Sequence, residues 1–583
     1  MIIIYDFKIP VGGREKEKFK KDEELFSEHL KSKLESVSGF LRSGRNFNFD
    51  VKILKKSVDL RQKEQKTVFK VLIKLISSGA VGLNDTDEAV DTDDAFLDLL
   101  NKAGVKARKA NNEEENSFYG ESAYISTPTE AEKKNAAGRN DAKVLIVGMG
   151  PAGIFAAAYL LDKGIKPIII EKGKRVEDRI KDVGNLLNNA KFDKKSNVVF
   201  GEGGAGTFSD GKLTTRKNDP VVSYVLNFLV KMGADAGILI EHKPHIGSDN
   251  LICILQKIRN YLSNNGAEIY FEEELKDLEI NENGAVCSVK TDKRTFRTDF
   301  VILASGSNSY DTYELLEAKG VVMERKPFAV GFRIEHKRDF TDGLFFKGNV
   351  GKASTKLKGV YYNISSKKYG GYSFCMCPGG VVINSSSDEN LLCINGMSYS
   401  GRDMENSNSA IVAAVRPEML DGIDPDRYSP GTGALQFRRD LELKAYEAGG
   451  GNFAAPYQWT PDYIKDVYPN IKNSSSSDMP APSYKPSVKY FNLFKLLPDF
   501  LNLSIAGSLT EFESKFKGFA AKSILTGLET GTSSAVRIKR NSNFESISVK
   551  GLYPCGEGSG YSGGIITSAI DGIRCADALR IIF

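Results

Sequence analysis

Histidine and tryptophan are scarce, with four and one residues in a chain of 583, and neither CxxC nor HExxH occurs. With so few ligands and no ligand pair at a usual spacing, no metal site is expected. The seven cysteines (Cys253, Cys287, Cys375, Cys377, Cys393, Cys555 and Cys575) are odd in number in a long chain. That argues against a disulfide framework and for a reducing compartment. No run reaches the roughly 18 apolar residues of a membrane span. The opening MIIIYDFKIPVGG has too short an apolar run, and no basic start, for a secretory leader. A cytoplasmic location without a transmembrane segment is the expectation.

Charge of one sign is also lacking. Lys+Arg number 80 and Asp+Glu 75, a net +5 that permits a nucleic-acid partner without demanding one. Apolar residues at 41% and charged residues at 27% exclude a collagenous, coiled-coil or mostly disordered chain. At about 100–200 residues per domain, the length suggests three or four units. Glycine is abundant: 55 residues, many in short clusters where backbone must come close to something.

Residues 2–10 alternate like a strand. Residues 15–35 are charged, with Phe19, Leu25, Phe26, Leu30 and Leu34 near helical spacing. Residues 49–60 and 67–76 read as two strands around the basic turn 61–66, and residues 85–98 as an acidic helix. A small N-terminal α+β domain over 1–104 and a polar linker over 105–141 are predicted. At Ala142 the character changes. VLIVG at 144–148 is continuous, branched and closed by glycine, the pattern of a buried parallel strand. Strands and helices then alternate to about residue 322. Residues 323–540 are richer in turns and β patterns, and residues 541–583 return to strand, glycine-rich turn and helix. The fold class is α/β, a Rossmann-like domain in two parts (142–322 and 541–583) with an inserted mixed α+β substrate domain.

GMGPAG places Gly148, Gly150 and Gly153 directly after the first strand, with Pro151 and Ala152 opening a helix. The first glycine allows the tight turn, the second lets a pyrophosphate approach backbone, and the third packs helix on strand. Glu171 closes the next strand, where a carboxylate binds an adenosine ribose. Strand, motif, helix, strand and acid in register make a strong signal; the glycine triplet alone would be weak. GEGGAG at 201–206 and GSGYSG at 558–563 also match the glycine pattern but lack the acid. They read as loops where backbone touches a planar ligand or its ribityl chain.

The C-terminus separates FAD from a nicotinamide cofactor. FVILASG at 300–306 ends a strand in a small turn holding Ser305 and Gly306. GLYPCGE at 551–557 ends another in Gly556 and Glu557, and Gly563, Gly564 and Ile565 open the last helix. Glu557 is placed to bind a ribityl hydroxyl, and the helix N-terminus to bring positive partial charge to the edge of a flavin ring. Lys172, Gly203, Gly204, Ala205, Gly206, Thr207 and Leu275 complete the expected FAD-binding set.

Each candidate for chemistry competes with a structural reading. Cys375 and Cys377 form a CxC pair, but alternate strand positions strain a disulfide, and buried strand cysteines are the favoured reading. Arg333 and Glu335 share one strand face, as an ion pair or an anion site, with His336 on the other face. Tyr399 and Arg402 read equally as an anion clamp and as loop packing. Tyr561 stands just before the last helix, placed to stack on or gate the isoalloxazine. Lys212 in SDGKL is placed to reach flavin N5 or a phosphate. Tyr561, Lys212, Arg333 and Glu335 are the catalytic candidates.

The order GMGPAG, Glu171, ASG and a C-terminal GE-plus-helix resembles the glutathione-reductase-type FAD domain. Longer strings resemble the uncharacterised FAD-dependent dehydrogenase family, also known as NAD(FAD)-utilising dehydrogenases. They include KKSVDLRQK at 55–63, FGEGGAGTFSDGKL at 200–213, KPFAVGFRIEH at 326–336, SFCMCPGG at 373–380, NGMSYSGRD at 395–403 and GEGSGYSGGIITSAIDG at 556–572. The resemblance implies a small N-terminal domain, an inserted substrate domain, and Gly203, Gly204 and Gly206 lying along the pyrophosphate or isoalloxazine. Two strings depart from the family pattern. GSNSYDT at 306–312 has Ser307 and Tyr310 where the family has His and Arg. ETGTSSA at 529–535 has Gly531 and Ala535 in place of Arg and Pro.

The sequence therefore predicts an FAD-dependent oxidoreductase that passes a hydride between flavin N5 and a small-molecule substrate or NAD(P)H. The alternatives are a flavin-bearing RNA-modification or RNA-binding protein, carried by basic residues such as Lys55, Lys56 and Arg61, and a flavoprotein whose FAD is structural.

Overall fold

The computed structural model describes residues 2–10, 46–59, 66–79 and 105–109, the helical positions Phe26, His29, Leu30, Leu97, Leu100 and Asn101, and residues 143–215, 219–241, 243–345, 359–470 and 478–580. The predicted helices at 15–35 and 85–98 otherwise lie outside the described residues. So do residues 61–65 of the predicted turn, with Arg61, and the side chains of Lys55 and Lys56. The chain divides into two compact units.

The first unit comprises Met1–Ser126, Thr214–Pro244 and Phe346–Asn349. Its antiparallel sheet has the order Asn46–Asp59, Lys66–Gly79, Ile2–Pro10, Ala107–Lys109. Ile2, Ile4, Val71 and Ile73 alternate inward, as β-branched residues do on a half-buried sheet, and meet Phe26, Leu30, Leu100 and Ile240. Two expected boundaries are corrected here. The linker 105–141 begins inside the sheet, because Ala107–Lys109 pairs with Ile2–Ile4. Thr214–Pro244 does not belong with the nucleotide fold, because Ile240 buries its side chain in this core.

The second unit comprises Thr127–Leu213, His245–Phe345 and Val350–Phe583. Its five-stranded parallel sheet has the order Leu552–Pro554, Phe300–Leu303, Val144–Val147, Ile168–Glu171, Glu268–Phe271. The order reverses between the first strand and Phe300–Leu303, so the GMGPAG turn sits at a topological switch point, where open α/β sheets bind ligands. Every residue of Val144–Val147 is buried, as expected for a strand covered on both faces. Helix Pro151–Asp162 packs on the C-terminal helix Ile565–Arg580. A Cβ at Gly572 would stand 2.1 Å from Ala152 O, so only glycine allows that approach. The two sequence halves of the nucleotide fold are clasped through this contact.

Between them lies a six-stranded sheet in the order Tyr372–Cys377, Asn406–Val415, Phe328–Lys337, Ile524–Glu529, Ala455–Trp459, Val488–Tyr490. Nine of the ten residues of Phe328–Lys337 are buried. Helices Gly433–Gly449 and Asp499–Lys515 supply Phe437, Leu441, Leu501 and Leu509 to the same core. Among the described residues, no helix is long and apolar enough to cross a membrane.

Candidate functional site

The first strand ends at Gly148, whose φ of 100° turns the chain sharply and whose added Cβ would stand 2.4 Å from Ala304 O. Pro151 then starts the helix, where its missing N–H costs nothing. The first-turn amides of Ala152 and Gly153 have no partner four residues back and point out of the helix N-terminus. A Cβ at Gly150 would find its nearest neighbour, Gly204 Cα, at 3.8 Å, so two glycine backbones line an open corner.

Glu171 ties this corner together. Its buried carboxylate accepts from the backbone N–H groups of Met149 (2.8 Å), Gly173 (2.9 Å) and Gly201 (3.0 Å). One acid thus joins the motif to the second glycine loop. A carboxylate has about four lone-pair sites, which leaves capacity for a ribose hydroxyl.

The second loop is pinned by Arg179, a residue the sequence did not single out. Fully buried, its guanidinium donates to the carbonyls of Asn197, Val198, Glu202 and Gly204 and to Thr207 Oγ1. Burial lowers its pKa to about 10, against the attraction of Glu171 and Glu202. Nothing local in the sequence marks an arginine whose partners are backbone carbonyls 18–25 residues away.

A cavity of about 320 Å³ runs from this corner. It begins at Gly148, Gly150, Pro151, Ala152, Glu171 and Lys172, with Gly204, Ala205 and Gly206 opposite. It passes Leu275, Ser305 and Gly306, then Gly556, Glu557, Gly564 and Ile565. It ends against the six-stranded sheet at Phe374, Cys375 and Glu529, with Lys212 and Asn395 also on its wall. Four expected cofactor residues lie off its wall. Gly153 packs under Gly148 O, Gly203 against Leu255, and Gly563 is exposed. Thr207 turns its hydroxyl to Arg179 and to Glu202 O.

The shape and donor set fit FAD. An elongated cavity joins a glycine cradle, a ribose-type acid, and a second acid beside a helix N-terminus. Glu557 accepts from Ser307 Oγ at 3.2 Å and lies 3.5 Å from Gly564 N, and burial pushes its carboxyl up.

The catalytic candidates scatter. Lys212 lines the cavity beside Cys375, while Asp210 holds it at 3.5 Å. Arg333 is fully buried behind Gly396 and pairs with Glu529 at 3.1 Å. Its expected partner Glu335 instead accepts from Ser483 and Asn406, away from the cavity. The shared-face pair is thereby corrected: Glu529 on the adjacent strand holds Arg333, and Asn406 with the loop residue Ser483 holds Glu335. Tyr561 does not line the cavity either. Its ring lies 4.0 Å from the Arg540 guanidinium and 5.1 Å from that of Arg537. Arg402 is buried against Asp210 at 2.9 Å, whereas Tyr399 is exposed. Ser307 and Gly531, two of the departing positions, both line the cavity.

The fold and site define an FAD-binding flavoprotein. Residues 141–185 match the FAD binding domain family, and residues 327–532 match the family of FAD-dependent proteins, C-terminal domain-like. An uncharacterized protein of Clostridium beijerinckii is 41% identical over 441 residues, covering 75% of this chain and 80% of its own. The chain belongs to the family of that relative. Among solved structures, Bacillus cereus glycine oxidase is similar at 13% identity and a TM-score of 0.32, covering 75% of this chain and 97% of its own. Proteus vulgaris L-amino acid deaminase is similar at 12% identity and a TM-score of 0.31, covering 75% and 93%.

Proposed function

We propose that this flavoprotein is an oxidoreductase that passes a hydride between flavin N5 and a small molecule held against the six-stranded sheet. One observation carries the reading: the nucleotide corner and a chamber of titratable side chains share a single cavity. When bound, the isoalloxazine supplies two-electron acceptance and donation at N5. The N-terminus of helix Ile565–Arg580 brings positive partial charge to the cavity beside Glu557. Lys212 offers an ammonium to an anionic group of the substrate. Burial raises the Glu529 carboxyl to about 7 against the pull of Arg333, so near neutrality it takes or gives a proton at the cavity wall. A glutathione-reductase-type nucleotide fold belongs to this proposal, supported by the strand order and the terminal Gly-Glu-plus-helix. So does NAD(P)H as a transiently docking electron donor, since the described residues hold one five-stranded parallel sheet and no second.

The test is anaerobic titration of the yellow holoprotein with NADH, NADPH and a metabolite library, followed by flavin bleaching. Bleaching by one member is expected. A bound flavin that none of them reduces would instead support a structural role.

A further inference from the structure

The strand Tyr372–Cys377 is irregular. Its ladder with Asn406–Val415 slips between Phe374 and Cys377, and Cys375 takes a φ of 46°. That left-handed backbone is unfavourable for any residue with a Cβ and persists only where the surroundings enforce it. Bulges of this kind re-aim a side chain. Here Cys375 is half-buried on the cavity wall, and Cys377 is fully buried and off that wall.

Two cations face the two sulfurs. Lys212 Nζ lies 3.8 Å from Cys375 Sγ and 3.9 Å from Cys377 Sγ. Arg333 Nη2 donates to Cys375 O at 3.0 Å and lies 3.6 Å from Cys377 Sγ. Two anionic groups stand nearby. Asp210 is shared between Arg402 and Lys212, and Glu529 is paired with Arg333.

We propose that Cys375 is a nucleophilic cysteine of this cavity, forming mixed disulfides with small disulfide-bearing molecules. The proposal goes beyond the hydride-transfer reading and does not depend on it. The Cys375 thiolate attacks one sulfur of R–S–S–R′. The Cys375–S–S–R bond forms, the R–S–S–R′ bond breaks, and R′–S⁻ leaves with the electron pair. One disulfide replaces another and one anionic sulfur replaces another, so neither electrons nor protons are left over. Lys212, relieved of its thiolate, remains to neutralise the departing one.

The hydrogen bond from the Cys377 thiol, then the charges of Lys212 and Arg333, hold the Cys375 thiol well below its ordinary range against burial and Asp210. The same pairing and burial push Cys377 up. Burial alone would lower Lys212, but the two sulfurs and Asp210 outweigh it and hold its ammonium above the ordinary value. Cys375 is therefore the sulfur that stays anionic, and an anionic, accessible sulfur is what disulfide exchange needs.

The test exposes the purified holoprotein to glutathione disulfide and locates adducts by peptide mass spectrometry across a pH series. At about pH 6, well below the ordinary thiol pKa of about 8.5, Cys375 is expected to react at least about tenfold faster than the exposed Cys253 and Cys287. Lys212→Met is expected to move the midpoint of the Cys375 rate–pH profile up by about one unit, while Cys375→Ser removes the cavity adduct and leaves the other two. Equal or slower labelling of Cys375 at pH 6 in the wild-type protein overturns the proposal, whatever the variants do. So does a folded Lys212→Met with an unmoved profile. Flavin reduction is read separately, so the two proposals fail independently.

Discussion

Arg333 and Glu529 meet on adjacent antiparallel strands, Nη1 to Oε2 at 3.1 Å, with both side chains excluded from solvent. The pair lies where the six-stranded sheet meets the cavity, since Glu529 lines the wall and Arg333 supports it from behind. Removing one member leaves the other charge buried and alone. Arg333→Met is therefore expected to destabilise the fold by about 3–5 kcal/mol, read as a drop in the midpoint of chemical unfolding. Glu529→Gln is expected to cost at least as much, because it leaves the Arg333 guanidinium, which cannot shed its charge, buried without a carboxylate, whereas Glu529 left alone can take up a proton. A neutral effect of Arg333→Met would mean the ion pair is not formed.

Stability should respond to acid through His336. Its ring lies between Phe340 and Phe519, and Nε2 sits 2.6 Å from Phe519 O, so that nitrogen carries the ring proton. Burial lowers its pKa from 6.5 to about 4, so the unfolded chain takes up a proton before the folded one. The stability it contributes is full above about 6.5 and is lost as pH falls toward 4, on the order of 3 kcal/mol at the lower limit. Glu529 acts with the opposite sign. Its pKa is raised from 4.5 to about 7, so it lowers stability as pH rises through that window. His336→Phe should flatten the acid side of a plot of melting temperature against pH; an unchanged slope would assign the acid loss to other groups.

The two motif glycines should separate folding from cofactor binding. Gly148 has no room for a Cβ, which would stand 2.4 Å from Ala304 O, and its φ of 100° disfavours any other residue. Gly150→Val meets its first neighbour only at 3.8 Å, so the fold tolerates it while the added methyls enter the corner reserved for phosphate. Gly150→Val is expected to keep native circular dichroism and lose the yellow colour, and Gly148→Val to lose both. A yellow Gly150→Val protein would move the diphosphate elsewhere.

The nucleotide corner was legible because its signals are local. The glycine spacing, Pro151 and Glu171 each act within one βα unit, where geometry follows from a few residues. Arg179, Glu529 and Cys375 were not legible in the same way. Arg179 finds its acceptors in carbonyls of a distant loop, and Glu529 finds its cation on another strand. The CxC pair read as regular strand, and the slip that turns Cys375 to the cavity arises only on pairing with Asn406–Val415. Tyr561 is a related case: proximity to the last helix says nothing of what its ring packs on, and it packs on the guanidinium of Arg540.

By itself, then, the amino-acid order determined a dinucleotide corner and a chain that leaves the parallel sheet and returns to it, because hydrophobic period and glycine placement act over a few residues. Tertiary structure alone decided which charges face one another and which sulfur meets the cavity. Those choices depend on strand register and on burial, which arise only when separate strands come into contact, from Cys377 opposite Asn408 to Arg333 against Glu529.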